Sequence, residues 1–283
     1  MPRVIVFGSI NMDFVIQVAK RPCDGETILG TELNYFPGGK GANQAVSAAR
    51  LGVPTLMFGK VGDDSSAQFL KDFLQKQNIN ISNVDQSNTA TGSAFITIDD
   101  AGENTIIVVA GANADTSFEQ FQDFKFEKND VLVCQNEISS TEVLSCFKKA
   151  KKEGAKIIYN PAPAIDVSGE LFNLADYIIV NETEYMFYQE SLDNSDNIII
   201  KTLGSKGVQV IVHEQDFTVP ACKVGVLDTT GAGDCFTGAF AFGLSTNQML
   251  QESVEFANKC AAFSIQKHGA AVSMPYYDDI ADF

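Results

Sequence analysis

Short β-rich runs alternate with segments of helical period along most of this chain, and that alternation restricts its fold more than any other property. The runs Val4 to Phe7, Leu56 to Val61, Val131 to Cys134, Lys156 to Tyr159, Tyr177 to Val180, Ile198 to Lys201 and Val208 to Val212 are short, apolar and bounded by turns. Strands buried on both faces have this character. Between them Ala42 to Leu51, Ser65 to Gln77, Thr141 to Glu153 and Glu182 to Tyr188 read as helices, with Gly52 and Gly154 at C-cap positions. The repeat of strand, helix and strand predicts an α/β fold, a doubly wound and mostly parallel sheet flanked by helices. Its ligand crevice belongs at the carboxyl ends of the strands. Two further helices are expected near Asp234 to Leu244 and Asn247 to Lys267.

Two stretches break the rhythm. Phe14 to Val18 alternates with period two, and Gly92 to Ile98, the turn Asp99-Asp100-Ala101-Gly102, and Thr105 to Val109 read as a hairpin. They predict a small β lid, with strands within 14–36 and 91–109, that covers the crevice and excludes water. With no linker, repeat or low-complexity tract, residues 1–283 are read as one domain plus this lid.

The charge balance narrows the partners. Lys plus Arg number 20 against Asp plus Glu 36, a net charge of −16, which disfavours nucleic acid and anionic membrane surfaces. No segment approaches the roughly 18 apolar residues of a membrane span, and the first apolar run is too short for a signal peptide. Six cysteines without a CxxC pair fit a reducing cytoplasm. The two histidines, His213 and His268, are far apart, so zinc chemistry and a His-driven triad lose their usual components.

Glycine clusters supply the candidate sites. Asp228-Thr229-Thr230-Gly231-Ala232-Gly233-Asp234 runs straight into an apolar helix, where free N–H groups and the helix dipole hold an anion and Asp234 aims a carboxylate at the same place. An N-cap Asp after a flexible loop explains the same residues. Gly38-Gly39-Lys40-Gly41-Ala42-Asn43 opens another helix, either as a plain turn or as a hydroxyl or phosphate cradle. Asn11 and Asp13 follow the first strand, as an Asx turn or as partners for neighbouring hydroxyls. Asn181-Glu182-Thr183-Glu184 has the spacing of a capping box, and its other reading is Mg²⁺ coordination beside a triphosphate. Thr202-Leu203-Gly204-Ser205-Lys206-Gly207 is a hairpin turn that also suits phosphate, and Glu137 stands just beyond a strand end.

In order and content these segments resemble the ribokinase family of sugar kinases, from Val4 to about Pro275. The carriers are GSINMD at 8–13, GGKGAN at 38–43, VGDD at 61–64, AGAN at 110–113, NPAPA at 160–164, NETE at 181–184, TLGSKG at 202–207 and DTTGAGD at 228–234. The resemblance implies ATP-dependent phosphorylation of a sugar, with D-ribose taken at O5 and fructose, 2-deoxyribose or a nucleoside such as adenosine as alternatives. A silent sugar-binding protein on the same fold is the reading from another class. Asp234 is implied as the base, with the Gly231, Ala232 and Gly233 amides as anion hole. Asn11, Asp13, Gly39, Lys40, Asn43 and Glu137 are implied on the sugar, and Asn181, Glu184, Thr202, Gly204, Ser205, Lys206, Gly207, Gly233 and Asn258 on the nucleotide and Mg²⁺. Asp228, Thr230, Ser264, Lys267, Gly269 and Ser273 are implied around K⁺, several through carbonyls. A homodimer is implied too. One departure from the family is the segment 185–201, only 17 residues long, which predicts a missing covering helix and apolar surface left exposed on one face of the sheet.

Overall fold

Strand β1 (Val4–Phe7) is buried throughout, with Val4 and Val6 facing one layer and Ile5 and Phe7 the other. The computed structural model describes residues 2–193, 195–212, 216–281 and 283; His213 lies outside the described residues. The remaining strands are β2 (Asn11–Val18), β3 (Gly30–Gly38), β4 (Thr55–Val61), β5 (Asn80–Gln86), β6 (Gly92–Ile98), β7 (Asn104–Val109), β8 (Val131–Gln135), β9 (Lys156–Asn160), β10 (Tyr177–Asn181), β11 (Ile198–Thr202), β12 (Val208–Ile211) and β13 (Phe217–Val219). The helices are α1 (Lys40–Arg50), α2 (Ser65–Lys76), α3 (Ser140–Glu153), α4 (Gly169–Leu174), α5 (Glu182–Phe187), α6 (Gln189–Asp193), α7 (Ala232–Ser245), α8 (Leu250–Ser264) and α9 (Tyr277–Ala281).

Nine strands form the main sheet in the order β13-β12-β11-β10-β9-β8-β1-β4-β5, parallel except for the antiparallel pairs β11–β12 and β12–β13. From β1 the chain winds outward through β4 to β5, then returns to β8 on the other side of β1 and winds away. The strand order therefore reverses between β1 and β8, and a crevice opens beyond their carboxyl ends. Helices α1, α2, α7 and α8 cover the face of Val4 and Val6, while α3 and α4 cover that of Ile5 and Phe7. This is the α/β fold expected from the alternation.

On the second face, Phe121 in a short 3-10 turn is fully buried, stacked on Phe58 at 4.0 Å between centroids and edge-on to Phe7 at 5.0 Å. Truncation of this ring leaves a cavity under the sheet. Phe121→Ala is expected to cost about 3–5 kcal/mol in urea unfolding, and a loss below about 1 kcal/mol would show that the site collapses around it.

The second sheet, in the order β3-β2-β6-β7, is the expected small β layer, but its strands begin earlier and run further than 14–36. Asn11 and Asp13 thus lie within β2 itself, paired with Gly38 and Phe36 of β3, and not in a free Asx turn. Over 185–201 the cover is short rather than absent. Two short helices, α5 and α6, occupy the segment and bury Tyr188 and Leu192, leaving Met186 and Phe187 exposed. The Tyr188 ring packs on Phe172 at 5.0 Å between centroids.

Candidate active site

The polar groups gather where the strand order reverses. After β1, Ser9 accepts the Gly41 N–H and donates through its hydroxyl to Glu137, which follows β8. The Lys40 N–H at the start of α1 donates to the same Glu137 carboxylate at 3.0 Å. Gly39 takes φ +88° and Gly41 lies flat on Ser9; a Cβ on Gly41 would come within 2.6 Å of Ser9 N. Gly39 and Gly41 are therefore required by backbone contact with the segment that follows β1.

Asn11 and Asp13 project from β2 at the root of the lid. Asn11 Oδ1 accepts from Asn113 Nδ2 at 2.6 Å, and Asn113 Oδ1 accepts the Ile10 N–H at 2.9 Å. Asn113, the last residue of AGAN, thereby pins Asn11 and orients its Nδ2 group, which can donate to a ligand. The Asp13 carboxylate folds over Gly38, where a Cβ would fall about 2.1 Å from its oxygen. Burial, then repulsion from Glu137 and Asp234, pushes the Asp13 carboxyl up to about 7.

Asp234 sits in the first turn of α7, a helix buried on all sides whose Gly238 abuts the main chain of α1. Its two carboxylate oxygens accept from Asn43 Nδ2 at 3.0 Å and Gln44 Nε2 at 2.9 Å, both from α1. Asn43 Oδ1 is buried without a hydrogen-bond partner. Burial opposes the charge on Lys40, but Asp234, Glu137 and Glu184 together outweigh it and raise the ammonium. Burial also raises Glu184, with Asp234 adding to it and the Asn181 N–H and Lys40 working against it. One lysine thus lies in the field of carboxylates from the first half, the middle and the end of the chain.

On the far side of Asp234 a cavity of about 940 Å³ is bounded by the Thr202 to Val208 hairpin, Pro220 to Val226, Gly233, Phe236 and Asn258. Asn181 and Glu184 form the capping box that their spacing suggested, Asn181 Oδ1 accepting the Glu184 N–H and Glu184 Oε2 accepting the Asn181 N–H. Lys206 reaches Glu182 at 3.5 Å and so ties the hairpin to α5. Gly207 takes φ +97° and a Cβ there would strike Val219 O, so its identity follows from the β12–β13 pairing. Asn258 donates to Pro220 O at 2.9 Å and fastens the opposite wall. In the turn before α7, Gly231 has φ +74° and the Ala232 N–H donates to Thr229 O at 3.2 Å. Of the three amides of that turn, Ala232 is thus already engaged.

Asp228 joins two loops, accepting the Thr230 and Gly269 N–H groups at 2.8 Å each, and these donors outweigh burial to hold its carboxyl below the usual range. Ser264 and Ser273 donate to Ala261 O and Ala270 O, and the Lys267 ammonium covers the Phe263 ring at 4.4 Å. The side chain of Lys267 is accordingly turned to an aromatic face. The sequence assigned no role to Gln44, Asn113, Gln135 or Asn160, although Asn113 and Asn160 belong to the AGAN and NPAPA segments; each is buried and hydrogen-bonded to the site or to a residue that is. Among the described residues no helix is long and apolar enough to cross a membrane.

A model of the pfkB family of carbohydrate kinases matches residues 1–276. A ribokinase of Lactococcus lactis is 38% identical over 291 residues, covering 99% of this chain and 96% of its own. A Schizosaccharomyces pombe ribokinase is 36% identical, covering 97% and 95%. Among solved structures, a ribokinase of Thermotoga maritima superposes with a TM-score of 0.92 at 33% identity over 100% of this chain and 99% of that one. A ribokinase of Arabidopsis thaliana complexed with ribose and ATP gives 0.88 at 27% identity over 99% and 97%. Similarity of this extent, in sequence and in fold, makes the chain a member of the pfkB family of carbohydrate kinases, a phosphotransferase that acts on sugars.

Proposed function

We propose that the protein is a ribokinase, transferring the γ-phosphoryl group of ATP to O5 of D-ribose. The observation that carries this reading is the position of Asp234, held on both oxygens by α1, in the field shared with Asp13, Glu137 and Lys40, and next in sequence to Gly233 on the wall of the large cavity. Each carboxylate oxygen keeps a lone pair beyond the one its amide uses, so Asp234 accepts the proton of a sugar hydroxyl without moving. The orphaned Asn43 Oδ1 supports a ligand hydroxyl beside it, since buried acceptors rarely stay unpaired. Lys40 and the amides of Gly231, Ala232 and Gly233 offer positive field to the transferring group, with Ala232 turning from Thr229 to do so. Phosphoryl transfer needs alignment and charge neutralisation more than covalent help, and this pocket offers both.

The cavity takes ATP, its phosphates toward Thr202, Gly204, Ser205, Lys206, Gly207 and Gly233 and its base toward Asn258. Asn181 and Glu184 fit Mg²⁺ held mostly by phosphate and water, because such a site needs only one or two carboxylates. When bound, Mg²⁺ neutralises charge on the β- and γ-phosphate oxygens. Around Asp228 the donors of Thr230, Ser264, Lys267, Gly269 and Ser273 are hydroxyl and carbonyl oxygens, the hard set that suits K⁺. Turnover is expected to be faster in K⁺ than in Na⁺, and equal rates in K⁺, Na⁺ and a bulky organic cation would remove this site from the reading. The exposed apolar edge strand, with Ile106, Ile107, Val108 and Val109 all more than half exposed, supports a homodimer joined through the lids. Formation of ribose 5-phosphate from ribose and ATP, identified by product analysis, tests the reaction; phosphate on any other oxygen refutes it.

The raised Asp13 carboxyl gives a pH signature. Sugar hydroxyls donate to the ionised form, so ribose affinity is expected to weaken below about pH 7, by at most about tenfold per pH unit, and binding near neutrality should release a proton. Titration calorimetry in two buffers of different ionisation heat measures that proton. For the free fold the sign is the reverse of an ordinary paired Asp: a carboxyl raised from 3.8 to about 7 adds stability in acid, lost as pH climbs through 7.

A further inference from the structure

The two side chains that hold Asp234 have different freedom. Asn43 has an unpaired oxygen to offer a ligand, whereas Gln44 is fully buried and wholly engaged within the protein. Gln44 Nε2 divides between Asp234 Oδ1 at 2.9 Å and Asn160 Oδ1 at 3.1 Å, and its Oε1 accepts from Gln135 Nε2 at 2.6 Å. Asn160 in turn donates to Ile179 O at 2.8 Å. The chain of bonds joins α7, α1, β8, β9 and β10.

The main chain around it leaves no slack. A Cβ on Gly238 would come within 2.4 Å of Gln44 O, and one on Gly8 would lie 2.0 Å from Gln135 Oε1. The glycine of GSINMD thus makes room for a glutamine that touches no candidate ligand group. Buried amides are costly beside apolar residues of the same volume, and a chain of them specifies one arrangement. What it specifies here is the rotation of the Asp234 carboxylate, and a base misplaced by about 1 Å can lose about 10²-fold in rate.

We infer that Gln44 is a positioning residue that sets the orientation of the Asp234 carboxylate for proton abstraction, and that Gln135 acts on the same carboxylate through Gln44. The inference rests on Asp234 being the base, as proposed above. Gln44→Met and Gln135→Met keep volume and remove the amides; they and their double variant are to be compared for kcat, for KM of ribose and ATP, and for the pH dependence of kcat.

Gln44→Met is expected to lower kcat by about 10- to 100-fold with KM for ribose changed less than about threefold, and to move the acid limb of the kcat profile to higher pH. Gln135→Met should shift both in the same direction by less, and the double variant should be no worse than Gln44→Met alone. Gln44→Glu, the same size but repelling Asp234, should move the acid limb further and serves if Gln44→Met unfolds, as judged by thermal melting. An unchanged acid limb in a folded Gln44 variant overturns the inference, and additive losses in the double variant overturn the route through Gln135. If Asp234→Asn stays within tenfold of wild type, the base assignment itself falls. If Asp234→Asn is inactive while folded Gln44 variants turn over normally, only the present inference falls.

Discussion

Asp234→Asn is expected to lower kcat by roughly 10² to 10⁴ while leaving the fold and ribose binding in place. The substitution keeps shape and retains one acceptor oxygen, so one of the two amides from Asn43 and Gln44 still finds its partner. The other then faces an NH₂ group, a local mismatch at the rim of a buried helix. Lys40 loses one of its three carboxylates but keeps Glu137 and Glu184, so the pocket is not left with an unbalanced charge. Steady-state rates beside a thermal melt and a ribose titration separate the outcomes. A variant within tenfold of wild type would deny Asp234 the role of base.

Sugar choice is the second large effect. Asn11 is held by Asn113 so that it donates, while Asp13 and the unpaired Asn43 oxygen accept. Donor and acceptors on both sides of a small crevice suit a vicinal diol such as ribose O2 and O3. A sugar without one hydroxyl leaves a group here unpaired, and sites built around a hydroxyl can reject its absence by up to about 10⁴ to 10⁵. D-ribose is therefore expected to exceed 2-deoxyribose in kcat/KM by at least roughly tenfold, the smaller figure allowing for water in the pocket. Fructose and adenosine assayed alongside complete the comparison. Equal or better use of any of them would sink the ribose assignment and leave membership of the family untouched.

Much of this was legible in the sequence because the central strands are buried on both faces, and Val4 to Phe7 or Val131 to Cys134 cannot be anything but apolar runs. Edge strands carry no such mark. β5 is exposed at alternate and terminal positions and β13 has three residues, so neither stood out. Capping chemistry at Asn181 and Glu184 was readable because it is local, closing over three residues. Gln44 and Asp234 are 190 positions apart, and Gln44 and Gln135 are 91 apart. Nothing in local spacing distinguishes a glutamine that meets a distant carboxylate from one that faces water. The segment 185–201 misled for a related reason: its length argued against a cover, while the burial of Tyr188 depends on Phe172 from another helix.

The lid is assembled from two excursions of the chain. β2 pairs in parallel with β6, Asn11 facing Gly92, although β4, α2 and β5 intervene between them. A pair such as β2 and β3 is marginal by itself in water, and closing the loop to β6 carries an entropy cost that local contacts do not repay. The small sheet is therefore expected to form on the main one rather than before it, which pulse-labelled hydrogen exchange of the two sheets would check. Asn11 and Asp13 stand on β2 of the small sheet, with Asn43 and Asp234 on α1 and α7 against the main one. A sugar held by all four, as proposed, would span the two sheets, so its hydroxyls would tie the small sheet to the main one, and ribose is expected to slow hydrogen exchange in β2 and β6.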